Sequence, residues 1–173
     1  IRADQTPLGF HASVRSPGGA WYVDPYYHLD DSVYITYYGR DVTEDPHGGF
    51  VEQEIDEDTD PLGLQAVPQG PEVQLRTYRL ALLSDPGYAN YHGGPQNVTA
   101  AKVTLMNRVN QVYEDETAIR LILIAGNDRL NLDTQAQFSQ PNGPCGANAC
   151  FITNTAGELS CNSGALTRTR TVI

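Results

Sequence analysis

Hydrophobic and polar positions change rhythm twice along this chain, and each rhythm names a different kind of structure. In the first segment they alternate with period two. Phe10 to Arg15 and Ala20 to Asp24 flank Ser16-Pro17-Gly18-Gly19, a turn sequence between two strand-like runs, which predicts a hairpin. From Ser32 to Tyr38, Val33, Ile35 and Tyr37 fall on one side and Tyr34, Thr36 and Tyr38 on the other, as in a strand. Tyr22, Tyr26 and Tyr27 add to a tyrosine-rich surface that suits a half-buried sheet. Residues 1–50 are therefore predicted to form a small antiparallel sheet.

From Val73 onward the pattern becomes that of an α/β unit. Gln74 to Leu83 reads as a strand. Ser84-Asp85-Pro86-Gly87 and His92-Gly93-Gly94-Pro95 punctuate a loop. Asn97 offers an N-cap for a helix over about residues 98–115. In that helix Val98, Ala101, Leu105, Val109 and Val112 recur at helical spacing, widened by Met106 and Tyr113. Lys102, Asn107, Arg108, Gln111 and Glu114 lie off the stripe. Ile119 to Ala125 is a short, continuous apolar run of the kind found in buried parallel strands. Strand, helix and strand predict a parallel crossover unit. Residues 126–165 are loop-rich, and Leu166 to Ile173 has the composition of a helix that starts without a terminator. The fold class expected is α+β: a small antiparallel β segment followed by a partial β-α-β sheet domain.

Between the two lies a change of composition. Residues 51–72 hold Glu52, Glu54, Asp56, Glu57, Asp58 and Asp60, followed by Pro61, Gly63, Pro68, Gly70 and Pro71. Like charges and prolines favour an extended linker. The Asp56-x-Asp58-x-Asp60 spacing resembles the start of a calcium loop, but Pro61 stands where the loop needs Gly and Val67 where it needs Glu. The organisation expected is thus residues 1–50 as a β segment, residues 51–72 as an acidic linker and residues 73–173 as a second domain.

Charge narrows the partners. Eleven basic residues against 21 acidic ones give a net charge of −10 over 173 residues. That balance argues against nucleic acid and against anionic membrane surfaces. The longest apolar run, Leu121 to Ala125, is far too short to span a bilayer. Cys145, Cys150 and Cys161 crowd the last part of the chain without a CxxC or a nearby His. They read as a local disulfide with one cysteine over, the connectivity open, in a secreted or extracellular protein. The start at Ile1, with no basic and apolar leader, fits removal of an upstream segment.

Ordered runs in the second half resemble a known family. Arg76-Thr77-Tyr78-Arg79-Leu80-Ala81-Leu82 and Tyr88-Ala89-Asn90-Tyr91-His92-Gly93-Gly94 are similar to the opening strand and loop of bacterial reprolysin-like metallopeptidases, which are metzincin zinc proteases. Val109-Asn110-Gln111-Val112-Tyr113-Glu114 and Ile119 to Asp128 are similar to the first helix and second strand of that family. The resemblance covers roughly residues 73–173. Trp21 to His28 and Tyr37 to Asp41 resemble the end of the family's propeptide.

The resemblance implies a zinc-dependent endopeptidase as parent, acting on proteins or peptides. The family's ligands come from an HExxHxxGxxH helix, and no HExxH occurs in these 173 residues. Zinc is therefore expected in the complete parent enzyme, and no cofactor in this chain. No catalytic or metal-ligating residue carries over. The chain reads as the end of a propeptide joined to the N-terminal part of a catalytic domain, inactive alone. The other reading is a non-catalytic binding or inhibitory module that keeps the propeptide-like region.

Among His11, His28, His47 and His92 no pair stands at i, i+4. Asp24 and His28 are the candidates for a propeptide plug on a metal site, against ordinary sheet-edge roles. Asn97-Val98-Thr99 is a glycosylation sequon, and Ser84 lacks the context of a hydrolase nucleophile. An exposed sheet face in the second domain needs cover over Leu80, Leu82, Leu121 and Leu123. The expected partners are the N-terminal segment with Tyr34, Tyr37 and Tyr38, a second copy of the chain, or a downstream catalytic half.

Overall fold

The computed structural model describes residues 1–42, 73–153 and 163–173, without the side chains of residues 163–166. The linker expected at residues 51–72, together with His47 and Cys161, lies outside the described residues. The described chain is α+β. Four antiparallel strands come first: β1 (Arg2–Thr6), β2 (Gly9–Ser16), β3 (Gly19–Tyr27) and β4 (Asp30–Tyr38), in that spatial order. The turn at Ser16-Pro17-Gly18-Gly19 joins β2 to β3 as expected, with Gly19 at φ +112° taking a conformation that side chains resist.

The second part opens with β5 (Arg76–Leu80), then α1 (Pro86–Tyr91), α2 (Pro95–Thr117) and β6 (Ile119–Leu123). β5 and β6 pair in parallel, Tyr78 opposite Leu121, so the strand, helix and strand order read from the sequence holds. α2 starts earlier than the sequence suggested. Pro95 takes the first helical position after Gly94, where its missing N–H costs nothing. Asn97 sits inside the first turn and donates to the His92 carbonyl at 2.8 Å. The helix ends on Ala118 in the left-handed region, φ 53°, and β6 begins at once. Two further helices, α3 (Gln135–Ser139) and α4 (Ser163–Val172), follow. Thr134 and Gln137 form a capping box at the head of α3.

A two-stranded parallel sheet leaves backbone groups without a ladder partner, and buried peptide groups need one. Buried polar side chains meet that need. Asn110 on α2 accepts from the Leu121 N–H at 2.7 Å and donates to its carbonyl at 2.8 Å. Asn127 does the same for Leu82, at 2.8 and 3.0 Å. Lys102, only 2% exposed, donates to the Leu82 carbonyl at 2.7 Å and to Asn131. A separate apolar cluster of Leu132, Phe138, Cys150 and Phe151 packs the end of the chain, with Phe138 and Phe151 stacked at 4.7 Å.

One expectation holds in part and another is corrected. Val98, Ala101 and Met106 of the α2 stripe are buried, but Leu105 and Val112 remain 42% and 43% exposed, and Lys102 and Gln111, expected off the stripe, are buried along with Asn110. The N-terminal sheet does not lie over Leu80, Leu82, Leu121 and Leu123 through its tyrosines. It lies on α2, and Tyr34 and Tyr38 are exposed. The physical reason in both cases is hydrogen bonding: polar positions of α2 find partners on both sheets, and these partners decide which side of the helix is covered.

Two predictions follow from the buried polar groups. Asn110→Leu strands the N–H and carbonyl of Leu121, and urea denaturation is expected to show a loss of roughly 2–3 kcal/mol. Burial depresses the Lys102 ammonium to about 8, against an ordinary 10.5. Between about pH 8 and pH 10 the unfolded chain then binds more protons than the folded one, so stability rises with pH in that window. Lys102→Met removes that rise. Above it Tyr37, pushed up to about 12 chiefly by burial, acts in the opposite sense, so denaturation midpoints compared at pH 8 and pH 10 are the check.

Candidate functional site

The contact between the N-terminal sheet and α2 is made by polar side chains at matched periods. On α2, Thr104, Asn107, Arg108, Gln111 and Glu114 recur at helical spacing. On the sheet, alternate residues Arg2, Asp4, His11, Ser13, Arg15 and Asp24 point the same way. Asp4 accepts from Thr104 at 2.6 Å and from Asn107 at 2.9 Å. Ser13 donates to the Gln111 side chain, and Gln111 donates back to the Ser13 carbonyl at 3.2 Å. Arg2 bonds Glu114, which also holds Arg120 at 2.6 Å. These guanidiniums draw the Glu114 carboxyl below the usual carboxylate range, the Arg120 hydrogen bond first among the causes. Arg15 reaches Glu116 at 2.7 Å at the exposed end of the seam.

At the other end the seam opens into a cavity of about 540 Å³, lined among others by His11, Asp24, His28, Tyr88, His92 and Arg108. Asp24 accepts from Tyr37 at 2.6 Å and from Arg108, whose guanidinium also lies 5.7 Å from the Tyr22 ring centre. His11 stands between two carboxylates, 3.7 Å from Asp4 and 4.0 Å from Asp24. His28 contacts the Tyr91 carbonyl at 2.6 Å through Nε2 and packs on the Tyr91 ring at 4.5 Å. His92 packs on Tyr88 and Tyr91. Its imidazole is held below the ordinary value, first by burial and then by the charge of His28, and burial pushes the Tyr88 phenol up. Gly93, at φ +77°, admits the Leu29 side chain where a Cβ would meet it at 2.8 Å.

The structure therefore brings Asp24 and His28 to one cleft, as neighbours of His11, His92 and Arg108. Their donor and acceptor atoms are already used: the Asp24 carboxylate on Tyr37 and Arg108, the His28 Nε2 on a backbone carbonyl. Zinc does not fit this cluster, and no group of three or more His, Cys, Asp or Glu side chains among the described residues is arranged to hold a metal. Arg108, His11 and His92 were not singled out as site residues from the sequence. The signal that finds Arg108 is the polar stripe on α2 itself, since surface polar residues need not keep one helical line.

Cys145 and Cys150 form a disulfide, with Cα atoms 5.2 Å apart. Cys150 is buried in the cluster with Leu132, Phe138 and Phe151. Arg168 of α4 donates to the Cys150 carbonyl at 2.6 Å and to the Ala149 carbonyl, so the disulfide loop anchors the last helix. No described helix is long and apolar enough to cross a membrane.

No curated protein and no solved structure matches this chain. Residues 95–172, from the first residue of α2 to the last of α4, match the model of the metallo-peptidase family M12B reprolysin-like proteins. The sheet, β5 and α1 lie outside the matched stretch, and the region from α2 to α4 is related to the reprolysin-like metallopeptidases.

Proposed function

We propose that this chain is the end of a propeptide and the N-terminal scaffold of a secreted, zinc-dependent metalloendopeptidase of the bacterial reprolysin-like kind. The observation that carries the reading is the match of residues 95–172 to that family. The disulfide supports an oxidising, extracellular compartment. The sheet of β1–β4 supports the propeptide assignment because it meets α2 through ion pairs and hydrogen bonds, a contact suited to separation. Asp24 and His28 act in this reading as docking residues that fasten the propeptide end to α1 and α2.

In the complete enzyme zinc would polarise the scissile carbonyl and activate water. The residues of this chain supply no ligand for it, and their part is to shape and hold the frame on which the cleft is completed. The substrates are proteins or peptides, and the partner of this chain is the downstream catalytic half. The second reading is an extracellular binding or inhibitory module without catalysis.

The coding sequence beyond Ile173 separates them. An HExxH within about the next hundred residues, the span of a domain of ordinary size, supports the peptidase. Protein spanning that motif is then expected to hydrolyse casein, to lose activity to a chelator and to regain it with zinc. A stop codon directly after Ile173 supports the binding module. The 173-residue chain alone is expected to show neither stoichiometric zinc nor hydrolysis.

The docking role has its own check. Asp24→Ala leaves Arg108 and Tyr37 without their shared acceptor in a partly solvated seam. Hydrogen exchange is expected to show the β1–β4 amides less protected by roughly 1–3 kcal/mol, with β5 and β6 little changed. Equal loss in both sheets would show that Asp24 supports the whole fold instead.

A further inference from the structure

The N-terminal sheet turns its charged side toward α2 and a side of uncharged, mostly apolar residues away. Register places Ser13, Tyr22 and Tyr37 in one row, with Asp4, His11 and Asp24 on the same side, and this side bonds α2. The opposite side carries Val14, Trp21 and Tyr38 in one row and Ala12, Val23 and Thr36 in the next, with Phe10 and Tyr34 beyond. None of these residues is charged, while Arg2, Asp4, His11, Arg15 and Asp24 all stand on the other side. Phe10, Tyr34 and Tyr38 are 36%, 41% and 41% exposed. An antiparallel sheet with one solvated face ordinarily shows the reverse arrangement, polar residues outward and apolar residues inward. A sheet face of this composition is stable when a second layer covers it.

We infer that this face is the surface through which two copies of the chain associate, sheet against sheet. The net charge of −10 opposes association of identical chains over most of the surface. The outer sheet face is neutral, so it meets its own copy across a two-fold axis with no like-charge conflict. At its rims Arg40, 4.4 Å over the Tyr38 ring and 4.0 Å from Asp41, lies just beyond one end of β4, and Asp30 and Asp31 lie at the other. A two-fold axis perpendicular to the strands sets the Arg40 end of one copy over the Asp30 end of the other.

Four strands about 4.8 Å apart, each contributing about seven residues at about 3.3 Å, present about 450 Å² per copy. The pair covers about 900 Å², below the standard protein interface, which sets the expectation of a weak, reversible dimer. The inference does not depend on the peptidase reading.

Trp21 is the single tryptophan of the chain and stands on this face between Val14 and Tyr38, so it reports the contact directly. Sedimentation velocity of the 173-residue chain, from about 1 to about 100 µM, is expected to show a monomer–dimer equilibrium in the micromolar range. Trp21 emission shifts to the red as the dimer is diluted. Phe10→Lys and Tyr38→Lys, each checked for an unchanged far-UV circular dichroism spectrum, raise the dissociation constant by roughly tenfold or more. Val112→Lys, at an exposed apolar position of α2, leaves it unchanged. A chain that stays monomeric with Trp21 emission independent of concentration overturns the inference. So does a dimer that Val112→Lys dissolves and Phe10→Lys does not.

Discussion

The need to give buried backbone groups a hydrogen-bond partner governs this structure. β5 and β6 form a pair without further strands among the described residues, so Leu121 turns its peptide groups to an open edge, and Leu82 lies just past the end of β5, beyond the ladder. Leaving such groups unpaired in a buried place costs about 1–3 kcal/mol each. Asn110 serves the open edge of β6 at Leu121, and Asn127 and Lys102 serve Leu82 past the end of β5. Two of the three come from α2, so the side of α2 that carries Lys102 and Asn110 is fixed against the parallel sheet. Once that side is fixed, the remaining polar line of the helix faces elsewhere, and the N-terminal sheet meets it. The orientation of both modules thus depends on a few amide and ammonium groups rather than on a large apolar core.

That dependence explains which parts of the fold were legible in the sequence. The Ser16-Pro17-Gly18-Gly19 turn, the alternation of Ser32 to Tyr38 and the order of strand, helix and strand are local patterns, and local chemistry decides them. β1 escaped notice because Arg2-Ala3-Asp4-Gln5-Thr6 has little apolar content, and its strand character rests on pairing with β2. The buried side of α2 was legible only in part, at Val98, Ala101 and Met106, for a related reason. Lys102, Asn110 and Gln111 read as solvent residues when their partners are unknown, and those partners are backbone groups or side chains far away in sequence. Asp24 and His28 could be named from their neighbourhood. The carboxylate's partners Arg108 and Tyr37, and the His28 partner Tyr91, became visible only with the fold in place.

The same residues show why a resemblance and a site are separate conclusions. The family match begins at α2 and includes Lys102, Arg108, Asn110 and Gln111, all of which do structural work here. None of them belongs to a zinc motif. The seam makes use of the helix face that the parallel sheet leaves free, and in the cleft at its end His28, His92 and Asp24 are engaged by hydrogen bonds and ring contacts, while the buried Nδ1 of His11 has no hydrogen-bond partner. Titratable groups gathered in a cleft are often catalytic. In this cleft their engagement points to fastening.

A seam of this composition also has a particular energetic character. Exposed ion pairs such as Arg15 with Glu116 contribute little, because water and salt screen them, and even the better-covered Asp4 and Asp24 exchange bonds to water for bonds to protein. Separation returns every one of these groups to solvent with its hydrogen bonds intact, so no large apolar area resists it. The covalent connection between the sheet and α2 adds to this contact by raising its effective concentration. Removing that covalent tether weakens the contact without altering a single bond within it, whereas an apolar seam of equal size would remain closed. A polar inner face and an apolar outer face are consistent with one another in this light: the sheet is held to α2 by contacts that are easily exchanged for water, and its strongest tendency to bury surface points away from the helix.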